Sequence, residues 1–444
     1  MMMRMQTLAR HGRSALLLHR HLSSSTAVAA AAAAAGVPAQ LVALDRLAHQ
    51  SKLQLQISDR ARTNVEIIPV LTPSEFALKA FAGGDSTADH DIFSVVQEEG
   101  ESESGAVKAV RITKNESTGA DQDQSLMLQL FIPHLIDLSL SIVNGSVSIQ
   151  DKIEGDVKIV VGEGNIRVNK LRGEDINLKT NNGTVDVASL IEGEKVKLVA
   201  NGVNCKRLMS GVTEIKLSGS KTLEPVDSEF GAIYSSACVV NSLSKGSLQV
   251  GSVHGYLRVV GEEMQKVQVH GVNGAIDLED SGKSCDAVVH FDSWTSDASS
   301  SILVGGNVVV SVEPTAPIEV ELHGSKITTD GCAFSESELD QLDVDYAIFS
   351  GALQAKEGGA SSGAPLTGTS GKINVGSAKN AAMRTSFFMN DDTAQEDKNS
   401  NAATRQILSH TAQLPRLLVH ATSGSVQLEQ LDWMAKLKRK HLKQ

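Results

Sequence analysis

Four glycines, Gly145, Gly164, Gly183 and Gly202, stand 19 residues apart at every step. The first three open one phrase: Gly-Ser-Val147-Ser-Ile149, Gly-Asn-Ile166-Arg-Val168 and Gly-Thr-Val185-Asp-Val187. A second series, Gly155, Gly173, Gly193 and Gly211, runs between them and leads into Val157-Lys-Ile159, Ile176-Asn-Leu178, Val196-Lys-Leu198 and Ile215-Lys-Leu217. Period-two alternation puts Val, Ile and Leu on one face and Ser, Asn, Lys, Arg and Asp on the other. A 19-residue unit cannot bury its own apolar face, but stacked units cover one another. The predicted fold is therefore all-β: a parallel β-helix (β-solenoid) with coils of about 19 residues. Each coil should hold two short strands, each entered through a glycine turn. At about 4.8 Å per strand, about ten coils make a rod about 50 Å long.

The period resumes at Gly255-Tyr-Leu257 and Gly274-Ala-Ile276, with weaker copies at Gly246, Gly306 and Gly324. Two late copies stand alone, Gly371-Lys-Ile373-Asn-Val375 and Gly424-Ser-Val426-Gln-Leu428. Asn precedes Gly145, Gly183, Gly202 and Gly274, which suits tight corners at positive φ. Aromatic residues make up only 3% of the chain against 41% hydrophobic, so the interior must rest on aliphatic side chains. Helical periodicity between the strands is missing, which excludes a doubly wound sheet. A β-sandwich of short hairpins is the structural alternative.

The flanking regions divide the chain further. Residues 1–35 read as a mitochondrial presequence with an Ala-rich linker. Residues 36–125 read as N-terminal strands with an acidic polar loop. Val65–Val70 and Phe76–Phe81 should be strands, and Ile92–Val96 a buried strand within the loop. The solenoid core spans 126–333. Residues 334–405 read as an irregular, partly disordered insert with one late coil and a turn of helix near Ser335–Asp345. Residues 406–444 read as final strands and a basic cap carrying Lys436, Lys438, Arg439, Lys440 and Lys443.

The address rests on charge. No acidic residue precedes Asp45, while Arg4, Arg10, Arg13 and Arg20 alternate with leucines and are followed by Ser23, Ser24 and Ser25. An Arg-rich, Ser-rich, acid-free stretch of this kind is drawn inward by the mitochondrial membrane potential. A secretory signal needs an unbroken apolar core, and Arg20 interrupts Ser14–Leu18 too early. The expected location is mitochondrial, with the matrix favoured; the alternative is secreted or at the cell surface. There, Asn115, Asn144 and Asn182 become glycosylation acceptors. Past the Ala-rich run, no stretch approaches about 18 consecutive apolar residues, so no integral membrane span is expected. The net charge of −11 argues against nucleic acid as a partner. The basic C-terminus could touch an anionic membrane surface weakly.

Motifs for chemistry are sparse. Gly359-Ala-Ser361-Ser-Gly363 spells a nucleophile elbow but lacks the strand and helix that strain such a turn. Gly282-Lys283-Ser284 lacks the earlier glycine of a phosphate loop, with Asp277 in its place. Cys205, Cys238, Cys285 and Cys332 have no metal-ligand spacing, and the 13 histidines, including His254 and His270 near repeat corners, form no zinc motif. A β-helix glycosidase or lyase needs carboxylates converging from neighbouring coils. Asp186 and Asp277 are the outward candidates, and the adjacent pair Asp391-Asp392 falls in a polar loop. No catalytic, cofactor or metal residue is assigned. The residues singled out are the turn glycines Gly145, Gly155, Gly164, Gly173, Gly183, Gly193, Gly202, Gly255, Gly274, Gly371 and Gly424.

From Leu128 to Leu217, an apolar strand ending in Pro133, then Leu138-Ser-Leu140, then Asn-Gly and recurring glycine units, the chain resembles the putative-adhesin family of right-handed β-solenoids, a domain of unknown function, which implies a right-handed parallel β-helix. The leader and the isolated copy before Trp433 resemble its mitochondrion-directed eukaryotic members. The resemblance covers about residues 130–330 and 365–430. It bears on fold and says almost nothing of activity; with no chemistry assigned, the expected role is a non-catalytic, adhesin-like protein-binding or scaffold module with unnamed protein partners. A secreted or cell-surface adhesin is the alternative, and a carbohydrate-active β-helix enzyme the second.

Overall fold

The computed structural model describes residues 38–44, 47–58, 60–82, 92–99, 107–115, 125–219, 224–294, 298–315, 317–329, 331–355 and 414–431. The leader, the Gly371 copy, the nucleophile-elbow spelling, the Asp391-Asp392 pair and the basic segment 432–444 lie outside these residues. The chain divides into two compact units, Met1–Ser236 and Ala237–Gln444. Among the described residues each is all-β apart from one 3-10 turn at Pro73–Glu75 in the first.

The first unit holds β1 (Gln40–Ala43), β2 (Leu47–Ile57), β3 (Thr63–Pro69), β4 (Ala77–Ala82), β5 (Phe93–Glu99), β6 (Val107–Lys114), β7 (Leu126–Ile132), β8 (Ile136–Asn144), β9 (Val147–Glu154), β10 (Val157–Glu163), β11 (Ile166–Asn182), β12 (Thr184–Ala200) and β13 (Gly202–Leu217). The division between units falls inside β14 (Ser228–Ser242). Successive coils pair in parallel, so the unit is a β-solenoid. In β11, β12 and β13 the strand continues round a corner and serves two faces of the coil.

Register turns the alternation into continuous columns. On one face Leu128, Val65, Val147, Ile166, Val185 and Val203 stand side by side in six coils. On the other, Ile112, Leu55, Leu140, Ile159, Leu178, Leu198 and Ile215 do the same. All are buried, and each such side chain contributes about 1.5–3 kcal/mol of hydrophobic stabilisation. Coil length is not constant. Gly173 pairs Gly193, which pairs Ser210 rather than Gly211, and bulges after Val168 and Val187 absorb the difference.

Most turn glycines form ladders of their own. Gly145, Gly155, Gly164, Gly255 and Gly274 have positive φ, whereas Gly183 and Gly202, also preceded by Asn, do not. At Gly183 the requirement is close approach: a Cβ would lie 2.0 Å from the carbonyl oxygen of Gly164 in the coil before. Gly173 meets Gly155 in the same way. At Gly193 the nearest atom is 3.0 Å away, and at Gly202 a Cβ would meet the Val226 side chain. Side chains stitch the corners. The Asp137 carboxylate accepts the Asp156 N–H at 2.9 Å, and Asp156 accepts that of Asp175 at 2.9 Å.

Chain order and stacking order disagree. β2 lies between β6 and β8, and β3 between β7 and β9. The N-terminal coil is thus inserted between two coils that follow each other in sequence. Antiparallel strands close this end: β5 on β6, and β4 on β7 with β1 beyond it. The Gln40 amide completes the seal, donating to Phe93 O and accepting the Phe93 N–H, both at 2.7 Å. The acidic loop expected around a single buried strand therefore contains a hairpin-like pair, β5 and β6.

The second unit repeats the scheme with β15 (Ser247–Gly261), β16 (Lys266–Asp280), β17 (Asp286–Ser293), β18 (Ser299–Val304), β19 (Val308–Val312), β20 (Ile318–Gly324), β21 (Lys326–Thr328), β22 (Phe334–Asp343), β23 (Tyr346–Leu353), β24 (Arg416–Ala421) and β25 (Ser425–Gln430). Here the C-terminal coil is the inserted one. β24 lies between β18 and β20, and β25 between β19 and β21. Gly424 closes on Gly306, 2.0 Å from where its Cβ would be. β23 pairs antiparallel with β20, and β22 with β23. This corrects the reading of 334–353 as irregular with a helical turn. β22 is exposed along almost its whole length, so it carries no alternation to read. Its Glu336, Glu338, Asp340 and Asp343 charge the sheet edge, which discourages edge-to-edge pairing.

Candidate functional site

The groups available to a ligand are the outward rows that the ladders bring into register. On the first unit, Ser139, Lys158, Asn177, Lys197 and Glu214 form one row. Ser141, Val160, Lys179, Val199 and Lys216 form the next. Glu214 takes Lys197 at 2.7 Å and Lys216 at 2.8 Å. These two contacts hold its carboxyl below the usual range against the opposing effect of burial. The two rows present four lysines against one carboxylate on a flat parallel face.

The opposite face is more evenly paired. Glu66 accepts from Gln129 at 2.8 Å and Gln150 at 2.7 Å. Asp186 accepts from Asn204 at 3.0 Å and faces Arg167 at 3.8 Å. At a corner Arg172 bridges Glu192 at 2.7 Å and Glu154 at 3.9 Å, beside a shallow groove floored by Gly173 and Gly193. Its hydrogen bond to Glu192 raises the guanidinium pKa further, and Lys152 lowers that of Glu154.

In the second unit Asp277 accepts from Tyr256 at 2.6 Å and Ser301 at 2.7 Å. Burial first, and then this carboxylate, push the Tyr256 phenol up to about 12. Asp186 and Asp277 thus each sit among hydroxyl, amide or guanidinium partners, and none of these contacts supplies the second carboxylate that glycoside hydrolysis requires. His323 and His420 are ladder partners, their rings 5.4 Å apart. His323 reaches the Tyr346 hydroxyl at 3.0 Å and Glu321 at 2.9 Å. Burial and then His323 lower the His420 pKa. Among the described residues no group of three or more His, Cys, Asp or Glu is placed to hold a metal ion.

One arrangement escaped sequence reading. His290 and Ser311 are ladder partners with His290 Nδ1 and the Ser311 hydroxyl 2.8 Å apart, and His290 Nε2 lies 3.1 Å from Asp292. The residue types match a hydrolytic triad, but His290 and Ser311 are only 6% and 8% exposed. Both side chains are thus closed to solvent. Nothing in the sequence marks the arrangement, because the two residues meet only through coil register. Three of the four thiols are equally enclosed: burial pushes Cys205, Cys238 and Cys285 each up to about 12, while Cys332 is half-buried. The Asn-Gly amides serve the corners, with Asn144 donating to Arg60 O at 3.1 Å and Asn182 accepting from Asn201 at 3.2 Å. His254 and His270 lie on β15 and β16. Among the described residues no helix is long and apolar enough to cross a membrane.

No protein-family profile matches the chain, and no curated protein matches it. Among solved structures it is similar to a putative cell adhesion protein from Clostridium sporogenes, at 9% identity over 88% of this chain and 98% of that one. The TM-score is 0.19.

Proposed function

We propose that the protein is a non-catalytic binding or scaffold module of mitochondria whose outward ladder rows recognise a protein partner. The observation behind this is the lysine face of the first unit. Lys158, Lys179, Lys197 and Lys216 project from successive parallel strands, with Glu214 the single acid between them. Side chains fixed at strand spacing, about 4.8 Å, give a rigid and extended contact surface at little conformational cost. The leader argues for import. The partner is then an acidic protein surface.

The test is proximity labelling in cells from the mature chain, comparing wild type with Lys158→Glu/Lys179→Glu. The double variant should fold normally and lose a defined set of labelled neighbours. An unchanged set would remove the lysine face from the account. Imaging a tagged chain, and mapping its N-terminus for cleavage between about residues 22 and 35, checks the address. Glycan-dependent mobility shifts would favour secretion instead.

A further inference from the structure

On the outward face of the second unit, β18, β24, β20 and β23 bring Leu303, His420, His323 and Ile348 into one row. Ladder partners stand on strands about 4.8 Å apart. The two imidazoles are therefore neighbours by backbone register, with an aliphatic side chain on either side. All four side chains are half-buried. Tyr346, which opens β23, brings its hydroxyl to both rings, 3.0 Å from His323 Nδ1 and 3.5 Å from His420 Nε2. Donor atoms from three strands thus converge, with the phenol oxygen between the two ring nitrogens.

The hydrogen bonds orient a lone pair toward this point. Glu321 Oε1 lies 2.9 Å from His323 Nε2. A carboxylate only accepts, so Nε2 carries the proton and Nδ1 of the neutral ring presents its lone pair to Tyr346. A carboxylate behind an imidazole is how metal-ligating histidines are oriented and made more basic. Burial and then His323 lower the His420 pKa, which keeps that ring neutral near pH 7. Two ligands at about 2.0–2.1 Å from one ion stand about 2.9–3.4 Å from each other. The separation of 3.0 Å falls inside that range and that of 3.5 Å just beyond it. The surroundings are acidic: Glu319 and Glu321 lie on β20, and Asp340 on β22 pairs with Ile348 at the end of the row.

We infer that His323, His420 and Tyr346 form a site for a single divalent transition-metal ion of the kind imidazole suits, zinc or copper, with Glu321 orienting His323 from behind. The third ligand is a phenol oxygen, whose proton passes to solvent when the ion binds. Because the ligands come from β24, β20 and β23, the ion pins the inserted C-terminal coil to its neighbour. The lysine face of the first unit plays no part in this reading.

The experiment is titration of the full chain with zinc chloride, read residue by residue as the rate of histidine acylation by diethyl pyrocarbonate, with exposed His270 as the control. Acylation of His323 and His420 should slow together, by a factor of about ten once free zinc exceeds its Kd about tenfold, while His270 keeps its rate. Tyr346→Phe should raise the half-effective zinc concentration for both rings by a factor of about ten or more. His420→Gln should abolish the protection of His323; should that variant fail to fold, Tyr346→Phe decides. Should either ring be unreactive without zinc, amide exchange in β20 and β24, slowed by zinc in the wild type and not in the variants, serves in its place. Protection of one histidine without the other overturns the inference, as does equal slowing of His270. So does protection of His323 that survives His420→Gln, a Tyr346→Phe titration identical to wild type, or no protection by zinc up to about 1 mM.

Discussion

Alanine at three glycines separates the two reasons a corner can demand one. Gly331 has φ +76° and open space around its Cβ position, Gly183 has ordinary φ and a carbonyl oxygen 2.0 Å away, and Gly164 has both φ +136° and an oxygen at 1.9 Å. Gly331→Ala should cost only the left-handed backbone term, about 1 kcal/mol. At Gly183 ordinary contact begins near 3.4 Å, so the neighbouring coil must retreat by more than 1 Å. That retreat strains the ladder bonds Gly164 N–H to Asn182 O at 3.0 Å and Asn201 N–H to Gly183 O at 2.9 Å. Two such bonds at about 1 kcal/mol each, with about 1–3 kcal/mol of overpacking, give about 3–5 kcal/mol. Gly164→Ala should cost about 1 kcal/mol more. Hydrogen exchange under a urea gradient reads each unit separately, which avoids assuming that a repeat array unfolds in one step. If Gly183→Ala is no more damaging than Gly331→Ala, close approach is not what the glycine ladder serves.

Other expectations follow from the same geometry. Leu178→Ala, in the inner column, should cost about 2–5 kcal/mol, while Lys179→Ala beside it should stay within about 0.5 kcal/mol; urea midpoints of the two variants decide this. With thiol pKa values of about 12, Cys205, Cys238 and Cys285 should resist a thiol reagent at about pH 8 until denaturant is added, and half-buried Cys332 should react first. Burial raises the Asp280 carboxyl pKa despite N–H donation from Met264 and Gly282. A raised native pKa means the native state holds the proton more tightly. That stabilisation is complete below the unfolded-state value and is lost as pH rises through the native one. Asp280→Asn should remove this slope above the ordinary carboxylate range, at a pH-independent cost of one acceptor, because Oδ1 takes the Gly282 N–H and Oδ2 the Met264 N–H while an amide offers one oxygen. Parallel stability–pH curves for the two proteins would contradict it.

The repeat was legible because its signal is local. Ile166-Arg-Val168 or Val185-Asp-Val187 announces a strand and its buried face without reference to the rest of the chain. Elements that lack a glycine entry or a clean alternation were not. β2 carries Leu53, Leu55 and Ile57 but no repeat glycine, and β6 lies within an acidic stretch. β22 is solvated on both faces, so its composition mimics a polar helix. The outward lysines could be named from sequence. Their partners could not, because Lys197 meets Glu214 only after bulges reset the register between coils.

What the sequence determined by itself is the strand within the coil and its inward residues, since side-chain alternation acts within a few residues. Stacking order was decided by tertiary structure. Every coil offers the same hydrogen-bonding edge and the same aliphatic column, so nothing local tells Leu53 to lie between Val110 and Leu138, or Val419 between Ile302 and Leu322. Only assembly selects among edges that are chemically alike, and in the first unit it places β2 between β6 and β8, in the second β24 between β18 and β20.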